Sequence, residues 1–416
     1  MNYRYLIAFA FIISICVFLD LYTWYGLKKT VEPRVFKFFK WFIPVSTFLF
    51  FIGFIWSFYR SGQGVHNASY GLNLLVGFTF GVFLAKLLIA TPFLLEDLVR
   101  FSVYLFKKIT ATSGTEVNVP SRREFVRNIS LALAAIPLTG TIYAITRGKY
   151  NYQVVDLALK FKSLPRAFDG LKIVQFTDFH AGSFDDFNAV EKGLALINEQ
   201  QPDIVVFTGD LVNNRSEEAL PFIEMLRKIE APMGKYAILG NHDYGDYRPF
   251  ETLKEKEEDF ELIHDIYKQS GFQLLKNESV SFEKNGERIH LGGMENWGNP
   301  PFPQYGDLSK TTENIPEGDF TVLLSHDPDH WEYEVRTHNK KIDLTLSGHT
   351  HGAQFGVDIP GWKWSPVKYR YRRWLGHYQE NERHLYVSKG FGFLGFPGRI
   401  GMSPEIISIE LKAEKV

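Results

Sequence analysis

Hydrophobic and polar positions alternate on two different scales along this chain. In the first 150 residues the apolar runs are long. Tyr5 to Tyr25 has Asp20 as its one charge, Phe38 to Tyr59 follows, and Tyr70 to Leu95 carries Lys86. Each approaches the roughly 20 residues that cross a hydrocarbon core. A shorter run, Ile129 to Thr146, completes a predicted set of four membrane helices. Pro92 to Phe106 holds Glu96, Asp97 and Arg100, which predicts a separate amphipathic helix at the bilayer surface.

Beyond Tyr150 the runs shorten to the length of a buried strand and are enriched in β-branched residues. Amphipathic stretches such as Ala189 to Asn198 and Glu217 to Ile229 lie between them, an alternation that predicts an α/β domain. Five runs end in acidic, amide or histidine residues: Asp178 with His180, Asp210, Asn241 with His242 and Asp243, His326, and His349 with His351. Strands that all end this way bring ligands distant in sequence to one edge, which a metal site requires. The two-residue spacing of Asp178 and His180 puts both on one face if the strand continues. Gly209 and Gly240 allow a sharp turn and a close backbone approach. Any one of these clusters alone reads as a turn or a satisfied polar residue. Five in order read as a site.

Charge and cysteine usage narrow the chemistry. Lys plus Arg (46) nearly balances Asp plus Glu (47), so no global charge favours a nucleic acid polymer, and none is expected as a partner. The one cysteine, Cys16, lies in an apolar run, so a metal site must use His, Asp and Asn. Basic residues favour the cytoplasmic side. They cluster after the first run (Lys28, Lys29, Arg34, Lys37) and after the third (Lys107, Lys108, Arg122, Arg123, Arg127), with only Arg60 after the second. That places the N-terminus and everything after the fourth span outside the cytoplasm, in a multi-pass inner-membrane protein with a periplasmic or extracytoplasmic catalytic domain. Arg147 and Lys149 weigh slightly against it. Ser121 to Arg127 also resembles a twin-arginine export signal, the other reading being a positive-inside anchor. For Asp20 and Lys86 the expectation is a place near a span end or a mutual pair, not a transport path.

The ordered motifs resemble the calcineurin-like metallophosphoesterase superfamily over Leu171 to Leu411. The stretches Asp169 to Ile173, Gly348 to Gln354 and Ser388 to Glu405 are similar to a branch of membrane-attached or exported phosphodiesterases. That branch includes UDP-2,3-diacylglucosamine hydrolase-like proteins. The resemblance implies an αββα sandwich of two mixed sheets flanked by helices. It implies one ion held by Asp178, His180, Asp210 and His351, and a second by Asp210, Asn241, His326 and His349, with Asp210 bridging. Carboxylate, imidazole and amide donors suit two divalent or trivalent ions, Mn, Fe or Zn. Such a pair lowers the pKa of a bridging water and clamps phosphoryl oxygens. His242 is the candidate catalytic acid. Several branches carry an Asp three residues after the bridging Asp to orient that acid. Here Asn213 stands there, which leaves His242 a weaker acid–base group or one oriented by Asp243.

Two stretches are substrate-side candidates. Trp362 to Tyr378 mixes aromatic and basic residues, with Trp362, Trp364 and Arg372 in it. Such a mixture suits an anionic membrane interface or base stacking, and equally an insertion packing its own aromatics. Phe391 to Pro397, with Phe393, is either a lip facing lipid or substrate or a buried turn. His330 reads as a helix-start residue rather than a neighbour of the site. The expected domains are 1–110 (three spans and an interfacial helix), 111–150 (basic linker and fourth span) and 151–416 (phosphoesterase). The expected activity is hydrolysis of phosphodiester or pyrophosphate bonds near the bilayer, lipid-linked esters among the candidate substrates. A non-enzymatic membrane scaffold keeping the fold is the alternative, and a degenerate ligand set would mark it.

Overall fold

The computed structural model describes residues 3–62, 70–110, 120–300 and 302–414. Two compact units emerge, one of Met1–Tyr59 and Ala68–Tyr143 and one of Arg60–Asn67 and Ala144–Val416. The first unit contains helices α1 (Tyr3–Lys28) and α3 (Tyr70–Thr110) and most of α2 (Pro33–Gly62) and α4 (Pro120–Thr146). All four are long and apolar enough to cross a membrane.

The separate interfacial helix expected at Pro92 to Phe106 does not exist, because α3 continues through Pro92. The charges that suggested a surface position have partners within the unit. Tyr22 donates to Asp97 Oδ2 at 2.8 Å, and Arg100 pairs with Glu96 one turn earlier at 2.6 Å. Asp20 and Lys86 pair with each other at 2.7 Å. The export-like stretch Ser121 to Arg127 opens α4, and the side chains of Arg122 and Arg123 lie outside the described residues.

The second unit holds two six-stranded sheets and a hairpin. Its strands are β1 (Gln153–Phe161), β2 (Lys172–Phe176), β3 (Ile204–Phe207), β4 (Lys235–Ala237), β5 (Gln273–Leu274), β6 (Glu278–Lys284) and β7 (Glu287–Gly293). They continue with β8 (Thr321–Leu324), β9 (Leu344–Ser347), β10 (Val357–Ile359), β11 (Trp362–Trp364), β12 (Gly376–Glu380), β13 (Arg383–Val387) and β14 (Glu405–Ala413). One sheet runs β1-β14-β2-β3-β4-β5, the other β12-β13-β9-β8-β7-β6, and β10 pairs only with β11. Both sheets are mixed. β2, β3 and β4 are mutually parallel, as are β8 and β9, while β14 is antiparallel to β2.

Alternation along the strands builds three apolar layers. Ile173, Ile204, Val206, Val322, Leu344 and Leu346 meet between the sheets. Val174, Phe176, Val205 and Phe207 face the other way, against Val190 and Leu194 of α5 (Phe187–Glu199), Leu226 of α6 (Ile223–Arg227) and Ile263 of α7 (Leu253–Gln269). Leu323, Leu385 and Val387 cover the outside of the second sheet with Leu308 of α8 (Leu308–Thr312) and Trp331 of α9 (Pro328–Tyr333). This is the expected αββα sandwich. Capping fixes the helix starts: Asp186 accepts from Ala189 N, and Thr252 from Glu255 N. The stretch Glu217 to Ile229 is not one helix. Pro221, which lacks a donor, sits in a 3-10 segment (Ser216–Phe222) that precedes α6.

Candidate metal centre

Every predicted ligand lies just past the C-terminal end of β2, β3, β4, β8 or β9, where open α/β sheets place their sites. The strands stop before the ligands do. Asp178 and His180 therefore do not share a strand face, as the spacing suggested. Both sit in loop with positive φ (53° and 50°), as do Asp210 (60°), His349 (68°) and His351 (51°). Asp and His tolerate the left-handed region better than most residues, at a cost of order 1 kcal/mol each. Five such residues at one edge mark a backbone shaped by the ligand positions.

The side chains form two groups. Asp178, His180 and His351 offer donor atoms within 4.8 Å of one another, and so do Asp210, His326 and His349. His180 Nε2 is 3.0 Å from His351 Nε2, and His351 Nε2 is 3.1 Å from Asp178 Oδ1. Asp210 Oδ2 lies between the groups, 3.6 Å from His180 Nε2 and 3.1 Å from His326 Nε2. Main-chain carbonyls fix two of the imidazoles: His180 Nδ1 faces Val212 O at 3.2 Å, and His326 Nδ1 faces Thr208 O at 2.7 Å. Both then turn Nε2 inward, the arrangement of a ligating histidine. Asn241 donates Nδ2 to Tyr247 Oη at 2.9 Å, while its Oδ1 is buried without a hydrogen-bond partner.

Electrostatics point the same way. Burial disfavours charge on Asp178 and Asp210, yet His351 and His326 respectively hold these carboxyls well below the usual range. Burial also opposes charge on His326, but Asp210 overrides it and lifts that imidazole to about 10. Burial lowers His180 and His242, and it lowers His349 to about 3, with His326 adding to the effect. Two buried carboxylates thus stand among imidazoles, and Asp210 favours charge on His326 against the cost of burial. Burying charge this way is costly unless a partner completes the set. The donor set and the orphaned Asn241 oxygen fit hard or borderline cations.

His242 is half-buried beside this cluster. Its backbone N donates to Asp210 Oδ1 at 2.9 Å, and its Nδ1 faces Asn213 O at 2.7 Å. Orientation by Asp243 is therefore corrected: the main-chain carbonyl of Asn213 holds the ring. The Asn213 amide instead bonds Ser183 Oγ. Asp243 has another task, accepting the amides of Asp210, Leu211, Val212 and Gly240 and so fixing the loop that carries Asp210.

The substrate-side candidates divide. Phe393 is 1% exposed, with its ring against Phe184 and Tyr150, so it presents no lip. Arg372 is exposed and pairs through Nη1 with Glu332 at 2.5 Å. Trp362 is exposed on β11, and Trp364 packs edge-on against Phe355. His330 lies inside α9 and is buried, its Nδ1 2.8 Å from Ser325 Oγ. Besides Tyr247, three more residues outside the predicted ligand set touch the cluster. Tyr371 Oη is 2.7 Å from His349 Nε2, and Phe302 packs edge-on against the same ring. Arg399, buried, donates to the carbonyls of Lys389 and Gly392, and its Nη2 comes within 3.3 Å of His351 Nδ1. The sequence hinted at two of them, through the density of aromatics around Tyr371 and the place of Arg399 in the stretch Ser388 to Glu405.

Comparison with known proteins agrees with this geometry. Residues 171–353 match the family model for a calcineurin-like phosphoesterase, and residues 3–149 match one described as "Probable Calcineurin-like phosphoesterase, transmembrane domain". The chain is 32% identical over 302 residues to the uncharacterized metallophosphoesterase YkuE of Bacillus subtilis, covering 70% of this chain and 98% of that protein. It is 28% identical over 294 residues to phosphodiesterase YaeI of Escherichia coli, covering 70% and 99%. A zebrafish transmembrane protein with a metallophosphoesterase domain is 28% identical over 279 residues, covering 65% of this chain and 60% of its own length. With helices that can span a bilayer and a sandwich that gathers these donors at one edge, the chain belongs to the calcineurin-like metallophosphoesterases, metal-dependent hydrolases of phosphate esters.

Proposed function

We propose that this protein is a membrane-anchored phosphoesterase that uses two metal ions to cleave phosphodiester or pyrophosphate bonds, with lipid-linked esters within its range. One observation carries the reading: two donor groups, each tighter than 4.8 Å, with Asp210 Oδ2 between them. Asp178, His180, Asp210 and His351 would hold one ion, and Asp210, Asn241, His326 and His349 the other. Mn, Fe and Zn all accept such donors. When bound, the pair supplies an acidified water and a clamp on the phosphoryl oxygens.

The chain's own residues do the rest. Asp243 and four backbone amides hold the Asp210 loop rigid. His242 would give a proton to the leaving oxygen from Nε2 in its doubly protonated form, with Nδ1–H donating to Asn213 O, and burial works against that form. A neutral carbonyl stabilises an imidazolium less than a carboxylate does, so aryl and pyrophosphate leaving groups suit this site better than alkyl monoesters. The domain plan follows the chain: spans through residue 110, a basic linker and fourth span in 111–150, and the hydrolase from 151 onward. The loop basic residues favour an extracytoplasmic hydrolase in an inner membrane. That side disfavours a UDP-linked lipid precursor made in the cytoplasm. The test is hydrolysis of an activated aryl phosphodiester by purified full-length protein with Mn. No metal-dependent turnover on any aryl ester sinks the reading.

A further inference from the structure

Tyr371 lies outside every ligand motif and outside the matched residues 171–353, yet it touches the second ligand group. His349 has two ring nitrogens with different neighbours. Nδ1 faces the cluster, 3.3 Å from His326 Nε2. Nε2 faces away, 2.7 Å from Tyr371 Oη and 3.6 Å from Asp327 Oδ2. An imidazole that gives its Nδ1 lone pair to a cation carries its hydrogen on Nε2 and needs an acceptor there. The phenol oxygen is at hydrogen-bond distance and Asp327 is not. Asp327 is buried, and its Oδ2 has no hydrogen-bond partner among the described residues. Without the phenol, His349 would swing toward that carboxylate and carry Nδ1 out of register.

We propose that Tyr371 is the positioning residue of the second ion site: it holds His349 in the Nδ1-ligating tautomer and against the pull of Asp327, so binding of the second ion depends on it and binding of the first does not. The first group is oriented without Tyr371: His180 Nδ1 faces Val212 O and His351 Nδ1 lies 3.3 Å from Arg399 Nη2. This inference rests on the two-ion reading above.

The test is manganese titration of the full-length protein, followed by calorimetry and by the paramagnetic signal of a coupled manganese pair. Wild type should bind two ions per chain. Tyr371→Phe should keep the first affinity and lose about 10- to 100-fold in the second, the usual cost of removing a ligand's hydrogen-bond partner. Its coupled-pair signal should return at higher manganese, and adding Asp327→Asn should recover part of the affinity. Tyr369→Phe, at an exposed neighbouring phenol, should change nothing. Equal affinities for both ions in Tyr371→Phe and wild type overturn the inference, as does an equal weakening of both. A wild type that binds one ion or none overturns the two-ion reading itself.

Discussion

Two buried charge clusters, one in each unit, resolve in opposite ways. In the helical unit Lys86 Nζ reaches Asp20 Oδ1 at 2.7 Å, Ile43 O at 2.6 Å and Thr47 Oγ1 at 2.6 Å. Thr47 in turn donates to Asp20 Oδ1. An ammonium has three hydrogens, and all three are used. The cluster in the sandwich does not close. His180 Nε2 and His351 Nε2 face each other at 3.0 Å, Asn241 Oδ1 accepts nothing, and Asp210 and His326 share one proton's worth of attraction. A buried cluster that satisfies itself ties helices together. One that cannot do so calls for a cation.

The contrast predicts different failures. Asp210→Asn should remove at least ~10³-fold of metal-dependent turnover, because several kcal/mol of charge stabilisation at the phosphoryl group depend on that carboxylate. The protein should still fold, which circular dichroism would check. Lys86→Met should do the reverse, leaving an uncompensated carboxylate among helices at a cost of roughly 3 kcal/mol. Unfolding in mixed detergent reads this. The double variant with Asp20→Leu should recover most of the loss, and a double variant as unstable as the single one would break the contrast.

Metal removal sharpens it further. His326 has a folded-state pKa of about 10, because Asp210 outweighs burial. Its unfolded value is near 6.5. The stability it contributes in the metal-free protein is fully present below pH 6.5 and is lost as pH rises through about 10. An ion in the site takes the proton's place. Chelated protein should therefore melt at steadily lower temperature from pH 6.5 to 10, and manganese should flatten that slope. At 100-fold over the dissociation constant it should also add about 2.7 kcal/mol. Parallel slopes with and without manganese would count against His326 as a ligand.

Much of the site was legible because ligand residues are short polar insertions behind strand-length apolar runs, and the period of the runs is visible in one dimension. Less of the surroundings was. Tyr371 and Arg399 lie in stretches the sequence marked as unusual, but which of their side chains reach the cluster is decided by tertiary packing. Phe393 read as either a lip or a buried turn, because Gly-rich aromatic stretches look alike whether they turn inward or outward, and the structure buries it. Pro92 and its charged neighbours read as the start of a separate helix, since the partner of Asp97 is Tyr22 on α1 and only the fold brings the two together.

The smallest predicted effect concerns Asn213, where the sequence pointed to a side chain and the structure points to the backbone. An Asp at this position would orient His242 through its carboxylate. In this chain the Asn213 carbonyl holds His242 Nδ1 at 2.7 Å, and the amide group is occupied with Ser183. Replacing Asn213 by Ala removes the amide and keeps the carbonyl, so turnover of an aryl phosphodiester should change by no more than about threefold, under 1 kcal/mol of barrier. Asn213→Asp should not act as a gain of function either, unless the new carboxylate displaces the carbonyl from the ring. A pH–rate profile separates these cases. An unchanged basic limb means the main chain still sets the acid, and a limb shifted upward means the side chain has taken over. A large loss in Asn213→Ala would show that the Ser183 contact shapes the loop, and the carbonyl would then be only a bystander.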